Sequence, residues 1–282
     1  MLIILKENSN EKVYKFFKKI LILRRIKDGL FATRYFNKKY LQIIKWMFTS
    51  KEDTNFTYDL EDKNLNELYK LLESIFDKNF AEIKKYSEEL LNNSEIKTYL
   101  LNKIKSSDFK NFADSHIMFS RRIGWYIIVR IIKPKIIVET EVDKGLGSVI
   151  LAEALIKNKS EGFHGKYYGT DINLNAGYLF DDIYSEMGEI LYGDSIESLS
   201  NLNENIDLFI NDSDHSAEYE RNEYLTIINK LNTNSVILGD NSHSTDELLN
   251  FSIINKRNFV LFKEKPKNHW YPGAGIGISY LK

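Results

Sequence analysis

The sequence predicts an α/β fold: a doubly wound, mainly parallel sheet preceded by a helical region. Three observations predict it. Short apolar runs recur after Pro134, each followed by a segment of helical period. Several of these runs end on an acidic residue, at Asp171, Asp194, Asp212 and Asp240. Before Pro134 the apolar residues recur with a helical spacing.

Residues 11–47 read as helical, with Val13, Phe16, Phe17, Ile20, Leu21 and Leu23 among Lys12, Lys15, Lys18, Lys19, Arg24 and Arg25. Residues 48–60 are polar and read as a linker. The helical period returns over 65–93 and again over 95–104. Ser106, Ser107 and Asp108 break it, and 119–132 is a strongly apolar helix. Pro134 stops that helix, because the residue before a proline disfavours helical angles.

Strands are predicted at 135–140, 166–171, 189–192, 206–211, 235–240, 259–262 and 276–281, which makes seven. Helices are predicted at 147–158, 217–230 and 244–256. No helix separates the last two strands, so an antiparallel C-terminal edge strand is expected. The expected division is an N-terminal helical region, 1–114, and an α/β domain, 115–282.

The chain has 282 residues, with 43% hydrophobic and 28% charged, as expected of a globular protein. It has no cysteine, which excludes disulfides and thiolate metal sites. No apolar run reaches the ~18 residues of a membrane span. Residues 1–5 are too short an apolar run for a secretory signal. A cytoplasmic protein is expected.

The net charge of -1 conceals an asymmetry. Residues 1–50 carry 12 Lys/Arg against 3 Asp/Glu, and the remainder carries 27 against 37. The basic N-terminal helix suits peripheral contact with an anionic membrane surface. Packing on the main domain, or in a homo-oligomer, is the favoured alternative. No nucleic-acid partner is expected, since no recognised module accompanies the basic residues.

The most informative stretch is Asp212-Ser213-Asp214-His215, followed by Asp240-Asn241. Each ends an apolar run, and ligands of open α/β sheets sit at the carboxyl ends of the strands. Asp212, Asp240 and Asn241 form a hard oxygen set that suits Mg²⁺. His215 is then a candidate general base. Asp171 ends the second predicted strand, where a carboxylate can accept hydrogen bonds from ribose hydroxyls or cap a helix.

These motifs resemble those of class I S-adenosylmethionine-dependent methyltransferases. The resemblance is greatest to macrolide-sugar O-methyltransferases and cephalosporin hydroxylase-like proteins. It covers about 115–282 and runs through Ser120-Arg121-Arg122-Ile123-Gly124-Trp125-Tyr126, Val138-Glu139-Thr140 and Gly145-Leu146-Gly147-Ser148. It continues through Gly169-Thr170-Asp171-Ile172-Asn173, Ala176-Gly177, Gly193-Asp194-Ser195 and Phe209 to His215, and ends at Asp240-Asn241.

The resemblance implies a Rossmann-like domain with an S-adenosyl-L-methionine site. Glu139, Gly145, Ser148, Asp171, Ile172, Asp194, Ser195 and Asn211 are the expected cofactor residues. Asp194 and Ser195 read equally well as a turn and helix cap. Arg121 and Arg122 can reach the cofactor side of the crevice, or simply pack. The implied reaction is Mg²⁺-dependent O-methylation of a small-molecule or saccharide hydroxyl. The sequence departs from the family at Glu141 and Asp143, where glycine is usual. Side chains there can crowd the methionine moiety and repel its carboxylate, while attracting its sulfonium. A catalytically inactive binding or scaffold protein is the alternative.

Overall fold

A computed structural model describes residues 21–52, 58–214, 216–240 and 242–281. Two compact units emerge. One comprises residues 1–50 with 268–271; the other comprises 51–267 with 272–282. The division falls after Ser50, whereas the sequence placed it after residue 114.

In the smaller unit the described part of the N-terminal segment is one long helix, α1 (Leu21–Thr49). The first ten residues of the predicted helix, 11–20, lie outside the described residues. Lys39 Nζ donates to the carbonyl oxygen of Tyr271 at 3.1 Å. Trp46 meets Trp270 edge to face, with ring centroids 5.3 Å apart.

The larger unit begins with α2 (Asp62–Phe76), α3 (Phe80–Leu91) and α4 (Ser94–Ser106). The helix expected over 65–93 is therefore two. Asp77 takes a left-handed φ of 50°, and Asn79 caps α3 by accepting from Glu82 N at 2.9 Å. A chain reversal at one left-handed residue leaves the apolar period almost unbroken, so periodicity alone does not reveal it. The buried Leu68, Leu72, Ile83 and Leu90 lie on these two helices.

The apolar helix α5 (Arg122–Ile132) ends at Lys133, just before Pro134. Arg130 on α5 is buried. Its Nε meets Glu89 of α3 at 2.8 Å, and its other nitrogens donate to Asn158 and Glu161. Arg130 thus ties α3, α5 and the end of α6 (Leu146–Ser160) together.

The sheet holds β1 (Ile136–Thr140), β2 (Lys166–Asp171), β3 (Gly188–Tyr192), β4 (Ile206–Asn211), β5 (Leu231–Gly239), β6 (Asn258–Phe262) and β7 (Ile276–Tyr280). The remaining helices are α7 (Asp182–Ser185), α8 (Ser195–Asn201), α9 (Ala217–Ile227) and α10 (Glu247–Ile254). The strand order is β3-β2-β1-β4-β5-β7-β6. β1 to β5 are parallel, and β7 is antiparallel to both β5 and β6. The antiparallel C-terminal strand is therefore inserted beside β5, and β6 takes the edge. The mainly parallel, seven-stranded, Rossmann-like sheet expected from the sequence is present.

Val138, Leu208, Phe209, Ile237 and Leu238 are fully buried, as strands covered on both faces require. Each such side chain contributes about 1.5–3 kcal/mol by burial. Strand order reverses between β1 and β4, so a crevice opens at their carboxyl ends. The register pairs Thr140 with Thr170 and Asn211, and Asn211 with Gly239. This brings the strand-end motifs to one edge.

Candidate cofactor crevice and strand-end carboxylates

The loop after β1 has the backbone of a glycine-rich turn without all of its glycines. Glu141, Asp143 and Gly145 have φ of 61°, 49° and 92°. Only Gly145 escapes the steric cost of that region, which is roughly 1–2 kcal/mol for other L-residues. A Cβ on Gly145 would also lie 3.1 Å from the backbone of Gly177. The departure seen in the sequence thus keeps the loop's shape and adds two carboxylates to it. At Gly147 the constraint is space: an added Cβ would fall 2.1 Å from Glu139 Oε1.

Glu139 itself points inward. It accepts from Ser148 Oγ at 3.0 Å and from the Tyr167 hydroxyl. Burial pushes its pKa up to about 7, against the pull of those hydrogen bonds. Glu139 and Ser148 therefore brace the loop from beneath.

Asp171 ends β2 and is used by the chain twice. Its Oδ2 accepts from Asp143 N at 2.9 Å, and its Oδ1 accepts from Asn173 N at 2.8 Å. Each carboxylate oxygen retains a second lone pair. Asp194 caps α8, accepting from Glu197 N at 3.0 Å and from the Tyr219 hydroxyl at 2.8 Å. Those bonds hold its pKa below the usual aspartate value. The cap alternative at Asp194 is thus realised, with its carboxylate still lining the crevice.

The crevice is a cavity of about 430 Å³. Glu141, Thr170, Asp171, Ile172, Asp194 and Ser195 line it, with Ser213, Asp214 and Tyr219 closing its far side. Ile172 is largely exposed. Among the described residues, four carboxylates line this space and no basic side chain does. Thr170 Oγ1 and Asn211 Oδ1 are buried without a hydrogen-bond partner among the described residues. A small, net-cationic molecule whose hydroxyl and amino groups donate hydrogen bonds fits these acceptors, and S-adenosylmethionine has that character.

Beneath the crevice lies a residue that the sequence reading missed. Glu223 on α9 is buried, and its carboxylate collects Ser213 Oγ at 2.6 Å, Ser195 Oγ and Asn211 Nδ2. Thr140 Oγ1 lies at 3.4 Å. Burial pushes its pKa up to about 7. A signal existed: Glu220, Glu223, Tyr224 and Ile227 share one helical stripe and are all buried. The acidic members of that stripe read as solvated when α9 is considered alone.

At the ends of β4 and β5, Asp212 and Asp240 come together as expected. Arg121 joins them. It forms an ion pair with Asp240, to which Nη2 donates at 2.7 Å, and lies 4.0 Å from both Asp212 and Glu264. Burial, then the neighbouring Asp240, drives the Asp212 pKa well above its ordinary value. The described residues do not leave both carboxylates open to a divalent cation, because the Arg121 guanidinium already engages them. Among the described residues no cluster of three His, Cys, Asp or Glu side chains could hold a metal. Asn241 and the candidate base His215 lie outside the described residues.

Residues 138–242 match the family described as "Methyltransferase domain". The match covers just over a third of the chain. The matched segment contains the loop, the crevice and the Asp212–Asp240 pair. Among solved structures, a methyltransferase from Geobacter sulfurreducens is similar, with a TM-score of 0.50 at 16% identity. The similarity covers 72% of this chain and 98% of that one. An O-methyltransferase from Bacillus cereus in complex with SAH gives 0.49 at 13% identity, covering 70% and 96%. The SAH-bound Podospora anserina methyltransferase PaMTH1 gives 0.47 at 15%, covering 71% and 94%. At these identities the likeness concerns the fold alone. Comparison with curated proteins finds no match.

Proposed function

We propose that this protein is an S-adenosylmethionine-dependent O-methyltransferase acting on a hydroxyl of a sugar or another small polyol. The observation that carries the reading is the carboxylate-lined crevice under the β1 loop of a methyltransferase domain. When bound, S-adenosylmethionine supplies an electrophilic methyl group on a sulfonium. The chain's own residues bind and orient. Asp171 and Asp194 are suited to the nucleoside half, and Glu141 adds negative charge to the same crevice. His215 is the proposed acceptor of the hydroxyl proton as the C–O bond forms. The sugar assignment rests on the sequence resemblance. No metal step belongs to this reading, since Arg121 already engages the carboxylates expected to hold Mg²⁺.

Calorimetric titration tests it first. S-adenosylmethionine should bind more tightly than S-adenosylhomocysteine, because only the former carries a sulfonium into the acidic crevice. Methyl transfer to a panel of sugars should then persist in EDTA. His215→Ala should slow it by ~10²–10⁴-fold, as removal of a positioned base does. Folded protein that binds neither compound overturns the reading.

A second reading is an inactive cofactor-binding or scaffold protein. The side chains of Glu141 and Asp143 in left-handed loop positions favour it, as does the Arg121 ion pair. Cofactor binding without methylation of any acceptor supports this reading over the first.

A further inference from the structure

We propose that α1 (Leu21–Thr49) is a membrane-surface anchor that lays its apolar side on a bilayer carrying anionic headgroups. The helix leaves unusually large side chains in the open. Leu30, Phe36, Tyr40, Ile44, Met47 and Phe48 are 52–83% exposed. Ile22, Ile26 and Leu30 follow a four-residue spacing, as do Phe36, Tyr40, Ile44 and Phe48. That spacing draws one broad apolar face.

Cations flank this face. Lys27, Arg34, Lys38 and Lys45 fall at intervals of seven, four and seven, which places them in one row beside it. Over the whole helix seven basic residues stand against one acidic residue, Asp28. Residues 268–271 engage Lys39 and Trp46, which point roughly opposite to Ile26, Leu30, Ile44 and Phe48. Among the described residues, packing against 268–271 therefore leaves Ile26, Leu30, Ile44 and Phe48 exposed.

A bilayer surface meets both requirements. Acyl chains take the aromatic and aliphatic side chains, and anionic headgroups neutralise the adjoining row. An antiparallel second α1 would cover the apolar face but would set two cationic rows beside each other. No helix among the described residues is long and apolar enough to cross a membrane, so the contact is with the surface. Outside residues 1–50 the chain carries ten more acidic than basic residues, so the rest of the molecule is repelled by the same surface.

The test is co-sedimentation of the full chain with vesicles of phosphatidylcholine alone or mixed with phosphatidylglycerol. Binding to the anionic vesicles should exceed binding to the neutral ones by about tenfold or more, and should weaken as salt rises. Ile26→Asp with Ile44→Asp should abolish it while helix content and cofactor affinity stay unchanged. Lys38→Glu with Lys45→Glu should remove the preference for anionic lipid. Absence of binding to anionic vesicles overturns the proposal. So does a stable dimer in sedimentation velocity that the two aspartate substitutions dissociate, because the occupant of the face is then a second copy.

Discussion

Glu141 and Asp143 carry the sharpest residue-scale question. Each holds a left-handed backbone that glycine adopts freely. Glu141→Gly should relieve roughly 1–2 kcal/mol of steric cost. It should also lose about 0.4–1 kcal/mol through the freer unfolded chain. The melting temperature should therefore change by only a few degrees. The informative readout is affinity. The variant should lose part of the preference for S-adenosylmethionine over S-adenosylhomocysteine, and an unchanged ratio would show that Glu141 does not sense the sulfonium. Glu223 makes a separate prediction. Its folded pKa of about 7 lies above the ordinary 4.5, so the folded state holds the proton more tightly. Its contribution to stability is complete below about pH 4.5 and is lost as pH rises through about 7. Glu139 titrates in the same sense and the same window. Glu223→Gln mimics the protonated acid and should flatten that part of the melting-temperature profile. A profile as steep as the wild type's would assign the dependence elsewhere.

Between elements, two side chains act as fasteners. Arg130 binds Glu89, Asn158 and Glu161 from three directions. Arg130→Met should cost about 2–3 kcal/mol in urea denaturation, because it strands carboxylates that the fold has partly desolvated. The Glu161 pKa is held down to about 2 by hydrogen bonds from Arg130 and Lys133. It should rise toward 4.5 in the variant, which carboxyl-detected NMR would register. Asp171 fastens the β1 loop to the turn after β2. Asp171→Ala should weaken S-adenosylhomocysteine binding by about 1.5–3 kcal/mol if it also accepts from the ribose. It should lower stability whether or not it does. Calorimetry and thermal melting on the same variant separate the two roles.

The whole molecule divides after Ser50, and its charge divides at the same place. A chain starting at Lys51 should fold and bind cofactor with unchanged affinity, because every residue named in the crevice belongs to the larger unit. Removing the basic segment changes the net charge from -1 to -10, so the shortened chain should elute later from an anion exchanger. Loss of cofactor affinity in a folded, shortened chain would place the N-terminal segment within the site.

Strand positions were legible in the sequence because an apolar run between polar segments is a local signal. The strands at 166–171 and 206–211 coincide with the predicted ones to the residue. The meeting of Asp212 with Asp240 was also legible, since parallel strands that end at one edge must present their final residues together. The break between α2 and α3 was not, because one left-handed residue reverses the chain without disturbing its hydrophobic period. Nor were the two sets of partners that change the chemistry. Arg121 reaches Asp240 across 119 positions, and Glu223 gathers Thr140, Ser195, Asn211 and Ser213 from two strand ends, a helix start and a loop. Periodicity determines which face of an element is buried. Only the packed sheet decides which charged side chain lies beneath it, because that partner comes from a different element.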